Sequence, residues 1–207
     1  MSMSDRSDFL RSLVRGFAEG AGRRLGIPFS GLQKLIRETL AQASSVSDRQ
    51  IAKALTRVSG VKEASAVCRD ERIWIEATFD EAPSVSLSVQ PLSARFAPRG
   101  AKEVSFRVEP PELAGRAEVR DLVGAIAALI AHTLWAPFFG RILNPVYDAI
   151  AERDGADVRV DLRTVPAVRA AAQRGLTQLF DVLELSGLGV TDGVLRLHIK
   201  LPTLMMP

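Results

Sequence analysis

The sequence predicts an α+β fold built on an antiparallel sheet, and three observations carry that reading. Strand-like alternation recurs in series through the middle of the chain and again near its end. Helix-period patterns lie before and after the first series, not between successive strands. Residues 122–139, LVGAIAALIAHTLWAPFF, run for eighteen positions without a charge in a chain that is 25% charged. Strands in series beside a few helices define α+β rather than a parallel sheet of β-α-β units.

Each element has its own signal. Residues 7–25 carry Phe9, Leu13 and Phe17 four apart, among arginines, as a basic amphipathic helix does. A second helix opens at Ser30 and places Leu32, Leu35, Ile36 and Leu40 on one face. A third opens at Ser47-Asp48, runs through Ile51, Leu55 and Val58, and ends at Gly60. The period then falls to two. Residues 64–69 and 72–79 flank Asp70-Glu71 as a hairpin, and residues 84–89 set Val85, Leu87 and Val89 against three serines. Pro91 and Pro98-Arg99-Gly100 punctuate the chain before the strand 103–109.

A long helix is expected over 116–152, interrupted near Pro137 and near Asn144-Pro145, because the residue before a proline is pushed out of helical geometry. Strand 157–162, a helix from Pro166 over 165–179, and two strands at 181–190 and 193–201 complete the order. Asp192-Gly193 is the turn between the last two. The chain divides into a basic helical segment, 1–60, and one α+β domain, 61–207.

Composition excludes several functions. The single cysteine, Cys68, rules out an intramolecular disulfide and a cysteine-based metal site. It reads as a small buried hydrophobe in a strand rather than a nucleophile. Two histidines leave zinc or haem without a recognisable ligand set, and no cofactor is expected from this composition. The acidic group Asp148, Glu152, Asp154 and Asp157 matches no calcium loop. There is no glycine-rich phosphate loop, no nucleophile elbow and no RNA-binding aromatic signature. A non-enzymatic protein with no nucleic-acid partner is expected. The N-terminus shows no continuous apolar region of a secretion signal, so a cytoplasmic protein is expected, peripheral at the inner membrane if it meets one.

Charge is uneven. Residues 1–60 hold ten Lys/Arg against five Asp/Glu, whereas the whole chain carries only +3. The basic segment reads as a solvated helical face or as the contact with an anionic membrane, through Arg11, Arg15, Phe17, Arg23 and Arg24.

The apolar stretch admits several readings. Its eighteen residues fall just short of the roughly twenty that span a bilayer, and they include His132, Thr133, Gly124 and Pro137. A helix apolar on every side has to be covered on every side. Leu122, Ile126, Leu129 and Ile130 form one stripe, and Val123, Ala127, Leu134 and Phe138 widen it. The cover is the N-terminal helix, a partner subunit, a membrane surface or a lipid.

The alternating strands, the long helix and the closing pair DVLELSGLGVTDGVLRLHIKL at 181–201 together resemble the tubular lipid-binding superfamily. The terminal pattern Gly187-Leu188-Gly189-Val190, then Asp192-Gly193-Val194-Leu195, is similar to the last strands of such domains. The resemblance implies a strongly curved sheet rolled around a long broken helix, an apolar groove, transport or sequestration of a lipid, and association in pairs. The expected lining is Val85, Leu87, Val89 and Phe106, with Ile126, Ile130, Leu134, Trp135 and Phe138 of the helix and Leu195 and Leu197 of the last strand. Two other functions stand beside it. One is a homodimeric interaction module whose apolar helix is the dimer core. The other is an enzyme on an apolar substrate, which would place His132 beside a carboxylate.

Overall fold

The structure, a computed structural model, describes residues 45–96, 100–139, 145–173 and 184–200. Strand β1 (Ser45–Ser47) leads into helix α1 (Asp48–Leu55). Strands β2 (Val61–Arg69), β3 (Arg72–Phe79), β4 (Val85–Phe96) and β5 (Lys102–Glu109) follow in series. After a short 3-10 turn comes helix α2 (Ala117–Phe139), then β6 (Ala151–Asp154) and β7 (Asp157–Asp161). A second 3-10 turn leads to α3 (Pro166–Gln173), and β8 (Glu184–Thr191) and β9 (Val194–Lys200) close the described chain. The nine strands among the described residues pair antiparallel in one sheet, so the α+β class is the observed one.

β4 is the seam of this sheet. Its first residues, Val85–Val89, pair with β3, and its far end, Phe96, pairs with Leu185 of β8. The opposite edge pairs with β5 from Ser88 to Phe96. The strand runs past Pro91, where the sequence reading had punctuated. The register slips between Pro91 and Ser93, so Leu92 is an extra residue and the ladder is already interrupted where proline has no N–H to give.

Alternation decides which way each strand faces. On β3, Ile73, Ile75 and Ala77 are buried while Trp74 stands outside. On β5, Val104, Phe106 and Val108 are buried against Ser105 and Arg107 on the outer face. One buried face fixes the register, because a slip of one residue would turn every apolar side chain to solvent. The β2–β3 turn takes Asp70 and Glu71 through positive φ, 52° and 59°, which suits a two-residue hairpin of right-handed twist.

α1 begins where Ser47-Asp48 signalled it, with the Ser47 N–H donating to Gln50 Oε1 at 2.9 Å. Ile51, Ala54 and Leu55 are wholly buried in the same core as the sheet, and β1 pairs with β9. The described end of the segment expected at 1–60 therefore packs with the rest of the chain. Asp48 ties three elements together. Its carboxylate accepts from the Cys68 N–H of β2 at 2.9 Å, and its own N–H donates to Gly193 O in the β8–β9 turn at 3.2 Å. The Gly193 N–H donates in turn to Cys68 O at 2.9 Å. The helices expected at 7–25 and from Ser30 lie outside the described residues.

The helix expected over 116–152 is shorter. α2 runs through position 137 and ends at Phe139, and 145–150 has no regular secondary structure. Residues 151–154 form β6 instead. Ala151, Glu152 and Arg153 favour helix in isolation, but pairing with β7 outweighs that weak preference. Gly155 makes the turn possible with φ 66°.

Candidate apolar-ligand site

α2 answers the question its sequence raises. Every residue from Leu122 to His132 is buried within this one chain. The cover comes from α1, β1, β6, β7 and the short turn after β5. The segment 145–150 crosses the helix at Gly124, where an added Cβ would meet the Ala149 carbonyl oxygen at 2.8 Å. Glycine is what permits that close crossing. No helix among the described residues is long and apolar enough to cross a membrane.

The lining expected from the sequence comes together in one cluster. Val85, Leu87, Val89, Phe106, Ile126, Ile130, Leu134, Leu195 and Leu197 are 0% to 6% exposed and share a single core. A hollow wide enough for an acyl chain would leave its walls accessible to water. These walls are not, so no open elongated cavity runs beside the described lining residues. The reason lies in the helix composition. Ala125, Ala127, Ala128 and Ala131 are small and wholly buried, and small side chains allow close approach of the elements packed on α2. Trp135 and Phe138 lie on α2, but their side chains are outside the described residues, as are Arg11, Arg15, Phe17, Arg23 and Arg24.

One polar side chain interrupts this interior. His132 is 8% exposed, and neither Nδ1 nor Nε2 has a hydrogen-bond partner among the described residues. Buried polar groups are nearly always paired, and an unpaired one is destabilising by about 1–3 kcal/mol. Burial pushes the imidazole down from 6.5 to about 4, so it is neutral at pH 7. Its ring neighbour is Tyr147, with ring centroids 5.2 Å apart and planes inclined at 50°, and no hydrogen bond joins it to a carboxylate of the described residues. Tyr147 belongs to the crossing segment 145–150. The Arg57 guanidinium carbon, from just past α1, lies 5.8 Å from the Tyr147 centroid. Val146 and Ile150, flanking Tyr147 on the same segment, are 56% and 61% exposed.

Cys68 is buried at 1% exposure in β2, and burial, with Asp48 adding to it, pushes its thiol well above the ordinary range. It is an inert core residue. His198 lies over Gly189 and Gly187 of β8; a Cβ at Gly189 would meet its Nε2 at 3.2 Å. No group of His, Cys, Asp and Glu among the described residues is placed to hold a metal.

The outer face carries an open cleft of about 470 Å³ between Trp74, Ser88, Arg107, Glu109, Pro110 and Pro111. Its charges are already used. Arg72 binds Glu109 and Ser88 Oγ, and Arg107 Nε donates to Asp157 at 2.9 Å. The indole is covered by Arg69, whose guanidinium carbon stands 5.3 Å from it. These cross-strand pairs account for the cleft as sheet structure.

No family model, no curated protein and no solved structure matches this chain.

Proposed function

We propose that this chain is a non-enzymatic protein that takes up a lipid or fatty-acyl ligand between α2 and the segment 145–150. The observation that carries the proposal is the arrangement of α2. It is buried on every face from Leu122 to His132, with contacts from α1, β1, β6 and β7, and the segment 145–150, a strap without regular secondary structure, meets it at Gly124 and at His132. Apolar ligands are held by such walls with a few placed polar groups. The packed interior makes uptake a displacement: the strap moves and the acyl chain replaces it against the helix. A sheet rolled around α2 in the manner of the tubular lipid-binding superfamily is part of this proposal.

For the alternative of a homodimer cored by this helix, the stretch from Leu122 to His132 offers no surface, because it is buried within one chain. Association in pairs, docking on an anionic membrane and residence in the cytoplasm fit the lipid reading and are proposed with it. The test is to incubate the purified chain with mixed-lipid vesicles, re-isolate it and weigh it by native mass spectrometry. One acyl lipid per chain is the expected result. A chain recovered only at its own mass would overturn the proposal.

A further inference from the structure

From the interior outwards, three groups follow one another: the buried His132 imidazole, the half-buried Tyr147 phenol and the exposed Arg57 guanidinium. The first has two ring nitrogens without a partner among the described residues. The third makes no ion pair among the described residues, and it is the charge that acts on Tyr147. A neutral imidazole offers one N–H, a phenol one O–H and a guanidinium five N–H donors. The chain places them together with no acceptor among the described residues to receive them. An anion with several oxygen acceptors would satisfy all three, and charge-assisted hydrogen bonds to it are the strong kind. The exposed Val146 and Ile150 beside Tyr147 offer apolar contact at the same mouth.

We propose that His132, Tyr147 and Arg57 form the head-group site for an anionic acyl amphiphile, with the oxygens of its carboxylate or phosphate between Arg57 and His132 and its chain against α2. This rests on the lipid reading above and gives that ligand its charge. Tyr147 is then the movable part. Its ring caps His132 in the free protein, and its hydroxyl turns to the head group when the strap lifts. Arg57 supplies attraction at the surface, where the amphiphile arrives, and His132 fixes the end of its travel.

The test uses the full chain and three probes of one chain length: oleate, oleoyl lysophosphatidate and oleyl alcohol. Binding is read by isothermal titration at pH 7.5 for the natural protein and for Arg57→Ala, Tyr147→Phe and His132→Gln. Arg57 is exposed and Tyr147→Phe keeps the ring, so both variants retain the packing. The expected result is that one of the anionic probes binds more tightly than the alcohol. Arg57→Ala is expected to weaken that probe about tenfold or more while leaving the alcohol unchanged. The tighter anion tells carboxylate from phosphate. Equal binding of all three probes, insensitive to Arg57→Ala, would overturn the head-group site and leave the lipid reading standing. No binding of any probe would overturn both. A second readout is independent of affinity: the His132 imidazole, followed by NMR, should titrate at higher pH with the anionic probe bound, and an unmoved titration would contradict contact with the head group.

Discussion

Ile126→Ala should lower the free energy of unfolding by about 2–5 kcal/mol, the range for emptying a large aliphatic side chain from a closed core. Ile126 is wholly buried on the middle turn of α2, in one cluster with the sheet residues and with α1. A small domain has only about 5–15 kcal/mol to lose, so the variant stands near the limit of folding. The cost includes the transfer of three methyl-sized groups and the cavity they leave, because the backbone around a packed helix relaxes only in part. Urea denaturation followed by circular dichroism measures it. Light scattering on the same samples should show no change of oligomeric state. If the variant kept its midpoint but lost a dimer, α2 would be an interface and not a core.

The second large effect is a pH dependence. His132 has its proton affinity lowered by burial, from 6.5 to about 4. The unfolded chain therefore binds a proton that the folded chain does not over that window. Stability from this residue is fully present above pH 6.5 and is lost as the pH falls toward 4. The loss amounts to roughly 3–4 kcal/mol at most, from the size of the shift and about 1.4 kcal/mol per unit. His132→Phe keeps an aromatic ring beside Tyr147 and removes both unpartnered nitrogens. It should be more stable at pH 7 by about 1–3 kcal/mol. It should also lack the decline that the natural protein shows between pH 6.5 and 4. Asp161, held low by its hydrogen bonds to Arg163, is the same in both proteins, so the difference between them isolates His132. Parallel pH profiles for the two proteins would mean that the imidazole has a partner or water in solution.

The residues that announce themselves in the sequence are those whose two sides meet different media. β3, β5, β7 and β9 alternate because one face is buried and the other is wet, and Ile73, Phe106, Val158 and Leu195 fall where alternation puts them. The start of α1 is legible because Ser47 and Gln50 satisfy the free N–H groups locally. β1 and β6 are not legible. They are three and four residues long, and each is a strand only because β9 or β7 supplies the partner. The continuation of β4 past Pro91 depends on a bulge that no local pattern announces.

The same division holds at the site. An apolar helix needing cover on all sides was readable from residues 122–139, and so was the oddity of His132 within it. What covers the helix was not readable. The alanines of α2 look like weak apolar positions in the sequence, and their complete burial follows only from the elements packed on them. Tyr147 was hidden inside an expected helix, and Arg57 looked like one more charge in a basic segment. Tyr147 meets both His132 and Arg57 because a strap from beyond the helix returns over it, crossing at Gly124.

The most direct measurement is organic extraction of the full chain purified without detergent from its native host, followed by mass spectrometry of the extract. The account predicts one class of anionic acyl lipid at about one copy per chain, absent from a matched extract of a control protein. A chain that yields no lipid above that control would contradict it, and α2 would then be the core of a protein that binds nothing there.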